Sequence, residues 1–369
     1  MIEPLTNPAG AGSLQPNWSP LPDGGAILSW VEPSKAGSLS LRYAVRHGAN
    51  WSEPRTIAAA RHFFRHPAEL PEVMQLSEHQ WLAHWVETPK EESEAEYVYT
   101  SASTDGVHWT MPTMAHRDRA PVEHGLASMV ASGPAETSLF WLKAGHDEDA
   151  PTALMRTIVD ASGKELREER LVPDVCACCP TAVAKTAKGL LLAYRGHTRQ
   201  DIRDISVLRF ESGRWSPPDN LYADNWHINA CPTNAASVAA AGNRVAIAWF
   251  TSAQDSPKTE VAFSTDSGST FTKPVIVSTG NSFGYTSVVL DDAGAVVSWL
   301  EQGASGGAAR VLVRKISFTG ARGPVLQVAE GGRMGLGYPR LLHSLHSGDT
   351  FITWGDPKQL QTARLKEQP

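Results

Sequence analysis

Only four cysteines occur in the 369 residues, and they stand close together. Three lie in Asp174-Val-Cys-Ala-Cys-Cys-Pro180, and the fourth lies in Ala230-Cys231-Pro232. Thiols spaced as C-x-C-C, with one more supplied from further along the chain, offer soft donors. Copper and zinc take such donors, whereas calcium and magnesium prefer oxygen. The same four residues could also close two disulfides in an oxidising compartment or work as a redox thiol pair. Spacing alone leaves all three readings open, so the elements that carry the cysteines have to be found.

Those elements repeat. An apolar strand ending in an aromatic residue recurs at Trp30, Trp85, Trp141, Tyr194, Trp249, Trp299 and Trp354, at intervals of 55, 56, 53, 55, 50 and 55 residues. Between 15 and 19 residues before each aromatic, a residue followed by Pro or Gly heads another short strand: Gln15, His66, His124, Cys179, Cys231, Phe283 and Tyr338. Turn signals such as Pro22-Asp-Gly-Gly25, Ala187-Lys-Gly189 and Asp291-Asp-Ala-Gly294 separate the two elements, and two further strand-like stretches follow each aromatic, as hairpin-built sheets require. A four-strand unit of this length is a propeller blade. The repeat therefore predicts an all-β, seven-bladed β-propeller spanning 1–369 as a single domain. The alternatives are a six-bladed ring with one irregular unit, or a β-sandwich. The last unit has only three strands of its own, so residues 2–7 are expected to supply the fourth and remove the open edge.

Equivalent positions of successive blades surround the propeller axis. The repeat thus places His66, His124, Cys179 and Cys231 at one mouth of the channel, with Cys176 and Cys178 on the loop beside them. Zinc needs sulfur at about 2.3 Å and imidazole nitrogen at about 2.0–2.1 Å, which ring positions several blades apart do not reach together. The expected ligand set is Cys231 with two of Cys176, Cys178 and Cys179, and His124 as the nearest imidazole. His66, His116 and His227 are second choices. Glu123 and Asp118 could orient the imidazoles, or be ordinary loop charges.

Composition narrows the partners. A net charge of −6 without blocks of like charge argues against nucleic acid, and no apolar run is long enough to span a bilayer. The 12 Trp, 25 Pro and 30 Gly in a β pattern favour a periplasmic or secreted protein whose signal peptide is absent from this sequence. A cytoplasmic location is the alternative.

Two turns, Ser103-Thr-Asp-Gly-Val-His-Trp109 and Ser264-Thr-Asp-Ser-Gly-Ser-Thr-Phe271, resemble the Asp-box (BNR repeat) turns of the sialidase superfamily of propellers. With His116-Arg-Asp118, Glu123-His-Gly125, Val175-Cys-Ala-Cys-Cys-Pro180 and Ala230-Cys-Pro-Thr-Asn234, the chain is similar to the bacterial exported group labelled exo-α-sialidase-like. That resemblance implies the propeller far more than hydrolysis. Were it to extend to sialidase activity, it would imply Tyr285 as nucleophile and Arg65, Arg195 and Arg340 as a carboxylate-binding cluster, with a glycan as substrate. The motifs do not follow that pattern closely: Phe64-Arg-His-Pro67 lies in the second unit, and seven units exceed the six blades of sialidases. The expectation is a non-hydrolytic propeller holding copper or zinc. A sialidase-type glycoside hydrolase and a disulfide-stapled scaffold whose opposite face binds a protein or glycan are the alternatives. The expected partner is a metal ion or a small-molecule or glycan ligand, and the sequence identifies no particular protein partner.

Overall fold

A short run of apolar and small residues flanked by turn residues suits a strand buried on both faces, and every repeat contains one. In the computed structural model, which describes all residues except 35–37, 91–92, 134, 148–149, 279, 304–306, 357 and 367–369, these runs become the second strands of seven sheets: Ala26–Pro33, Gln80–Glu87, Thr137–Lys143, Gly189–Arg195, Arg244–Thr251, Gly294–Gln302 and Thr350–Trp354. The strands before them are Leu14–Pro20, Glu72–Ser77, His124–Ala131, Ala182–Lys185, Ser237–Ala241, Ser282–Leu290 and Arg340–His343. Each sheet is a four-stranded antiparallel meander, with small extra strands at the outer edges of the first and fourth. The protein is a seven-bladed β-propeller.

The seventh sheet takes its outer strand from the chain start. Ile2–Leu5 pairs antiparallel with Gln361–Leu365, from Ile2 opposite Leu365 to Leu5 opposite Thr362, as the three-strand count of the last repeat predicts. The chain divides into two compact units, Met1–Pro173 with Ser344–Pro369, and Asp174–His343.

The recurring aromatic is the centre of each sheet. Trp30, Trp85, Trp141, Trp249 and Trp299 are all fully buried, so each indole N–H needs a partner. Trp30 donates to Glu32 (2.7 Å), Trp85 to Glu87 (2.5 Å) and Trp299 to Glu301 (3.1 Å). In a strand, residues two apart share a face, so Trp-x-Glu supplies the acceptor locally. An arginine then neutralises each carboxylate: Arg42 on Glu32, Arg61 on Glu87 and Arg310 on Glu301. Trp249 departs from this scheme and donates to Asp224 at 2.8 Å.

The two Ser-Thr-Asp turns follow third strands and are closed by their own side chains. Asp105 Oδ1 accepts from the Ser103 hydroxyl and from the N–H groups of Val107 and His108. Asp266 Oδ1 accepts from the Ser264 hydroxyl and the Thr270 N–H. The hydrogen bond from the Thr270 side chain, followed by that from its N–H, holds the Asp266 carboxyl below the usual range.

The repeat register differs from expectation in one respect. His124 opens its strand and Phe283 lies inside one, but His66, Cys179, Cys231 and Tyr338 stand in the loops ahead of Glu72, Ala182, Ser237 and Arg340. Each of these four precedes a proline, which has no N–H to give a ladder, and Gly125 and Gly284 leave the ladder free to begin earlier. Gln15 also precedes a proline but lies inside Leu14–Pro20, where the proline is taken up by a slip in register between Leu14 and Asn17.

Trp249→Ala is expected to cost about 3–5 kcal/mol, and Asp266→Ala about 1 kcal/mol. Denaturant unfolding of the two variants checks both values and their order.

Candidate functional site

The outer strand of the third sheet ends at Val175, which bridges to Gly196. The Cys176 N–H continues that contact by donating to Arg195 O at 3.1 Å. The chain then turns through Cys178, Cys179 and Pro180 before the fourth sheet begins. This turn packs the sulfurs together: Cys176 Sγ lies 3.4 Å from Cys179 Sγ and 3.8 Å from Cys178 Sγ. The Cys231 side chain also interacts with that of Cys178, although its sulfur is outside the mutually close group of Cys176, Cys178 and Cys179. All four cysteines lie in the second unit, and none is bonded to another. Cys176 and Cys179 are 1% exposed, Cys178 is half-buried and Cys231 is exposed.

The sulfur spacing has a chemical meaning. A disulfide requires about 2.05 Å, whereas sulfurs sharing a tetrahedral ion at about 2.3 Å stand about 3.8 Å apart. Among the described residues, Cys176, Cys178 and Cys179 form the group of His, Cys, Asp or Glu side chains whose donor atoms lie within metal-sharing reach of one another.

Neighbouring donors favour negative sulfur. Arg203 Nη1 donates to Cys176 Sγ at 3.3 Å, while its Nε is fixed by Ile228 O. The Asn234 N–H donates to Cys179 Sγ at 3.3 Å. Hydrogen bonding to Cys178 and Cys179, then to Arg203, lowers the Cys176 thiol. Burial raises Cys179, and hydrogen bonding to its sulfur neighbours, Cys176 first, raises Cys178.

Of the histidines of the sequence-based ligand set, His124, His116 and His66 lie in the first unit, whereas His227 is exposed in the second. His124 is fully buried and its Nδ1 faces Glu96 O and Val122 O, both at 2.9 Å, so Nδ1 carries the proton. Its Nε2 has no hydrogen bond and stands 3.6 Å from Asp118 Oδ2. The ring stacks on His116 with centroids 4.3 Å apart. His116 Nδ1 bonds Asp118 O and its Nε2 accepts from the Val98 N–H; burial, then His124, lowers it to about 3. Asp118 is an ion-pair hub, meeting Lys143 at 2.5 Å and His146 at 2.8 Å. His66 is half-buried, stacked on Phe64, and accepts from the Ala68 N–H.

The residues of the hydrolase alternative are dispersed in role. Arg65 is exposed. Arg195 is buried and directs Nε, Nη1 and Nη2 to the carbonyls of Asn234, Arg203 and Phe250. Arg340 is half-buried at the head of Arg340–His343. Tyr285 is buried, and its hydroxyl accepts from Arg333 at 3.2 Å.

No family model matches the chain, and no curated relative does. Solved structures match over nearly the whole length. The BP39L lectin from Burkholderia pseudomallei aligns with a TM-score of 0.63 at 15% identity, covering 95% of each chain. The polysaccharide lyase PL25 ulvan lyase gives 0.59 at 9%, covering 97% of this chain and 95% of that one. The K499G mutant of NanB sialidase from Streptococcus pneumoniae gives 0.51 at 10%, covering 93% and 83%. At these identities the likeness is one of fold, and the fold is a sialidase-like β-propeller. No helix among the described residues is long and apolar enough to cross a membrane.

Arg203, Asn234, Glu69 and Glu96 are absent from the sequence-based set. The last two converge on Gly125, where an added Cβ would lie 2.7 Å from Glu96 Oε2 and 3.3 Å from Glu69 Oε2. Burial pushes Glu69 up to about 7. It pushes Glu96 up to about 9, with the Glu69 charge adding to it. The folded state thus binds these protons more tightly than the unfolded chain, so stability is fullest below the ordinary carboxylate value and falls as pH rises through about 7 and about 9. Glu96→Gln, which keeps the neutral shape, is expected to raise stability at pH 8 and flatten this slope. Urea unfolding from pH 5 to 9 measures both effects.

Proposed function

We propose that the protein binds one soft metal ion through the thiolates of Cys176, Cys178, Cys179 and Cys231, and does no hydrolysis at that site. The observation that carries this reading is the packing of unbonded sulfurs at 3.4 and 3.8 Å, the spacing of a metal–thiolate cage. Displacing the protons of Cys178 and Cys179 leaves several buried negative sulfurs, which only a cation at the centre and the flanking Arg203 can offset. Thiolate donors select copper(I) and zinc over magnesium or calcium.

Coordination number separates the two metals. Three sulfurs in mutual reach suit copper(I), the metal we place first, whereas a closed zinc site needs four ligands and so requires Cys231. This ligand set is built on the thiolates alone; Nδ1 of His124 bonds the Glu96 and Val122 carbonyls and Nδ1 of His66 accepts from the Ala68 N–H. The sialidase-like alternative receives no comparable support from Arg195, whose guanidinium already bonds three carbonyls.

Protein purified under reducing conditions without chelator is expected to contain about one copper or zinc per chain by elemental analysis, and four reactive thiols once the metal is removed. Cys179→Ser should reduce the metal content at least tenfold. Cys231→Ser should abolish zinc binding and leave most copper(I) binding. Metal-free preparations with two quantitative disulfides would refute the reading.

A further inference from the structure

Beside the cysteine cluster, and wholly within the second unit, lies a cavity of about 520 Å³. Its apolar wall is formed by Trp226, Ile228, Pro232, Phe250 and Phe283, and its polar rim includes Asn225, Ser252, Gln254 and Asp255. The volume falls within the ordinary span of small-molecule sites, about 300–1,000 Å³.

One cation stands in it. Arg333 lines the cavity from the short helix Arg333–Leu336. Its guanidinium lies 4.6 Å over the Phe283 ring and 5.0 Å over the Tyr285 ring. Its Nη2 donates to the Tyr285 hydroxyl at 3.2 Å, its Nε is buried without a partner, and no carboxylate among the described residues pairs with it. A guanidinium held between aromatic faces, with donors unused, is prepared for a planar anion such as a carboxylate.

The cavity is also built in a strained way. Asn225, Gln254 and Asp255 line it with φ of 56°, 57° and 54°; Thr233, between the lining residues Pro232 and Asn234, has a φ of 50°, and Tyr285, whose hydroxyl accepts from Arg333, has one of 54°. Non-glycine residues seldom adopt such values, and their clustering is a mark of functional sites. Buried hydrogen bonds hold the arrangement. Arg195 ties the carbonyls of Asn234 and Phe250 and stacks its guanidinium 4.9 Å from the Trp226 ring. Asn234 bonds Pro232 O and Phe283 O through Nδ2, and accepts from the Tyr285 N–H.

We propose that this cavity binds a small organic carboxylate whose body has an apolar face, with Arg333 receiving the carboxylate and Phe283 and Trp226 covering the face. An aromatic acid and a uronic acid both offer this chemistry. The amide and hydroxyl groups of the rim serve the hydroxyls of the second, and the indole wall serves the ring of the first. The site is independent of metal, because none of the groups assigned to the carboxylate is a cysteine.

The test is calorimetric titration of the whole chain, in reductant and chelator, with benzoate and indole-3-acetate in one arm and glucuronate in the other. Benzamide, indole-3-acetamide and glucose are the neutral counterparts. Saturable binding of at least one acid is expected, with its neutral counterpart at least 30-fold weaker. Arg333→Gln should lose about 30-fold, and Arg333→Lys should recover part of that loss. Equal binding of acid and neutral counterpart, unchanged binding in a folded Arg333→Gln protein, or no saturation by any of the three acids would overturn the proposal. The acid-to-neutral ratio in the unmodified protein decides the matter even if the variants do not fold.

Discussion

A buried indole whose N–H must find an acceptor is the constraint on which the sheets depend. A strand covered on both faces excludes water, so an unpaired indole N–H inside it costs as much as a lost hydrogen bond. The chain meets this three times in one way, with a glutamate two residues on and an arginine that offsets its charge, at Trp30, Trp85 and Trp299. Trp141 uses Thr157 instead, and Trp249 uses Asp224. Asp224 belongs to the long connection between the fourth and fifth sheets, so in the fifth sheet the demand of the core also fixes the loop that goes on to carry Trp226, His227 and Cys231.

That connection concentrates the chemistry of the second unit. Arg203 is held by Ile228 O and turns Nη1 onto Cys176. Asn234 gives its backbone N–H to Cys179 and its side chain to the wall of the neighbouring cavity. Arg195, which a sequence comparison with sialidases would enlist for substrate, braces the carbonyls on both sides of that wall. The metal site and the cavity thus share structural supports, although their proposed ligands differ in every respect.

What the sequence disclosed was whatever it repeats or uses sparingly. The aromatic that ends each second strand returns at nearly constant spacing, and it identifies the blades and the missing outer strand that Ile2–Leu5 provides. The cysteines are visible because there are only four. The ring register of the first strands was less reliable, since proline after His66, Cys179 and Cys231 delays the ladder and leaves those residues in loops. Arg203 and Arg333 left no trace in the pattern, and Asn234 stood out only as the end of Ala230-Cys-Pro-Thr-Asn234, with no role attached to it. Each acts once, in a segment without periodicity, and its partners are distant in sequence. The buried pair of Glu69 and Glu96 was hidden for a further reason: polar letters in a loop read as solvent-facing charges until packing shows them enclosed.

The contact between Asn234 and Gly284 has an evolutionary consequence. A Cβ at Gly284 would lie 2.0 Å from Asn234 Oδ1, and the glycine φ is +77°. No side chain enters position 284 while asparagine occupies 234. A smaller residue at 234 would not release that space, because Phe250 Cβ would still lie 2.7 Å from the added Cβ and the backbone would keep its left-handed conformation; it would also forfeit the bonds to Pro232, Phe283 and Tyr285. Gly284 is therefore fixed twice over, by its own backbone and by its neighbours. Divergent descendants that keep the cavity should keep this glycine even where the surrounding loop has lost all resemblance.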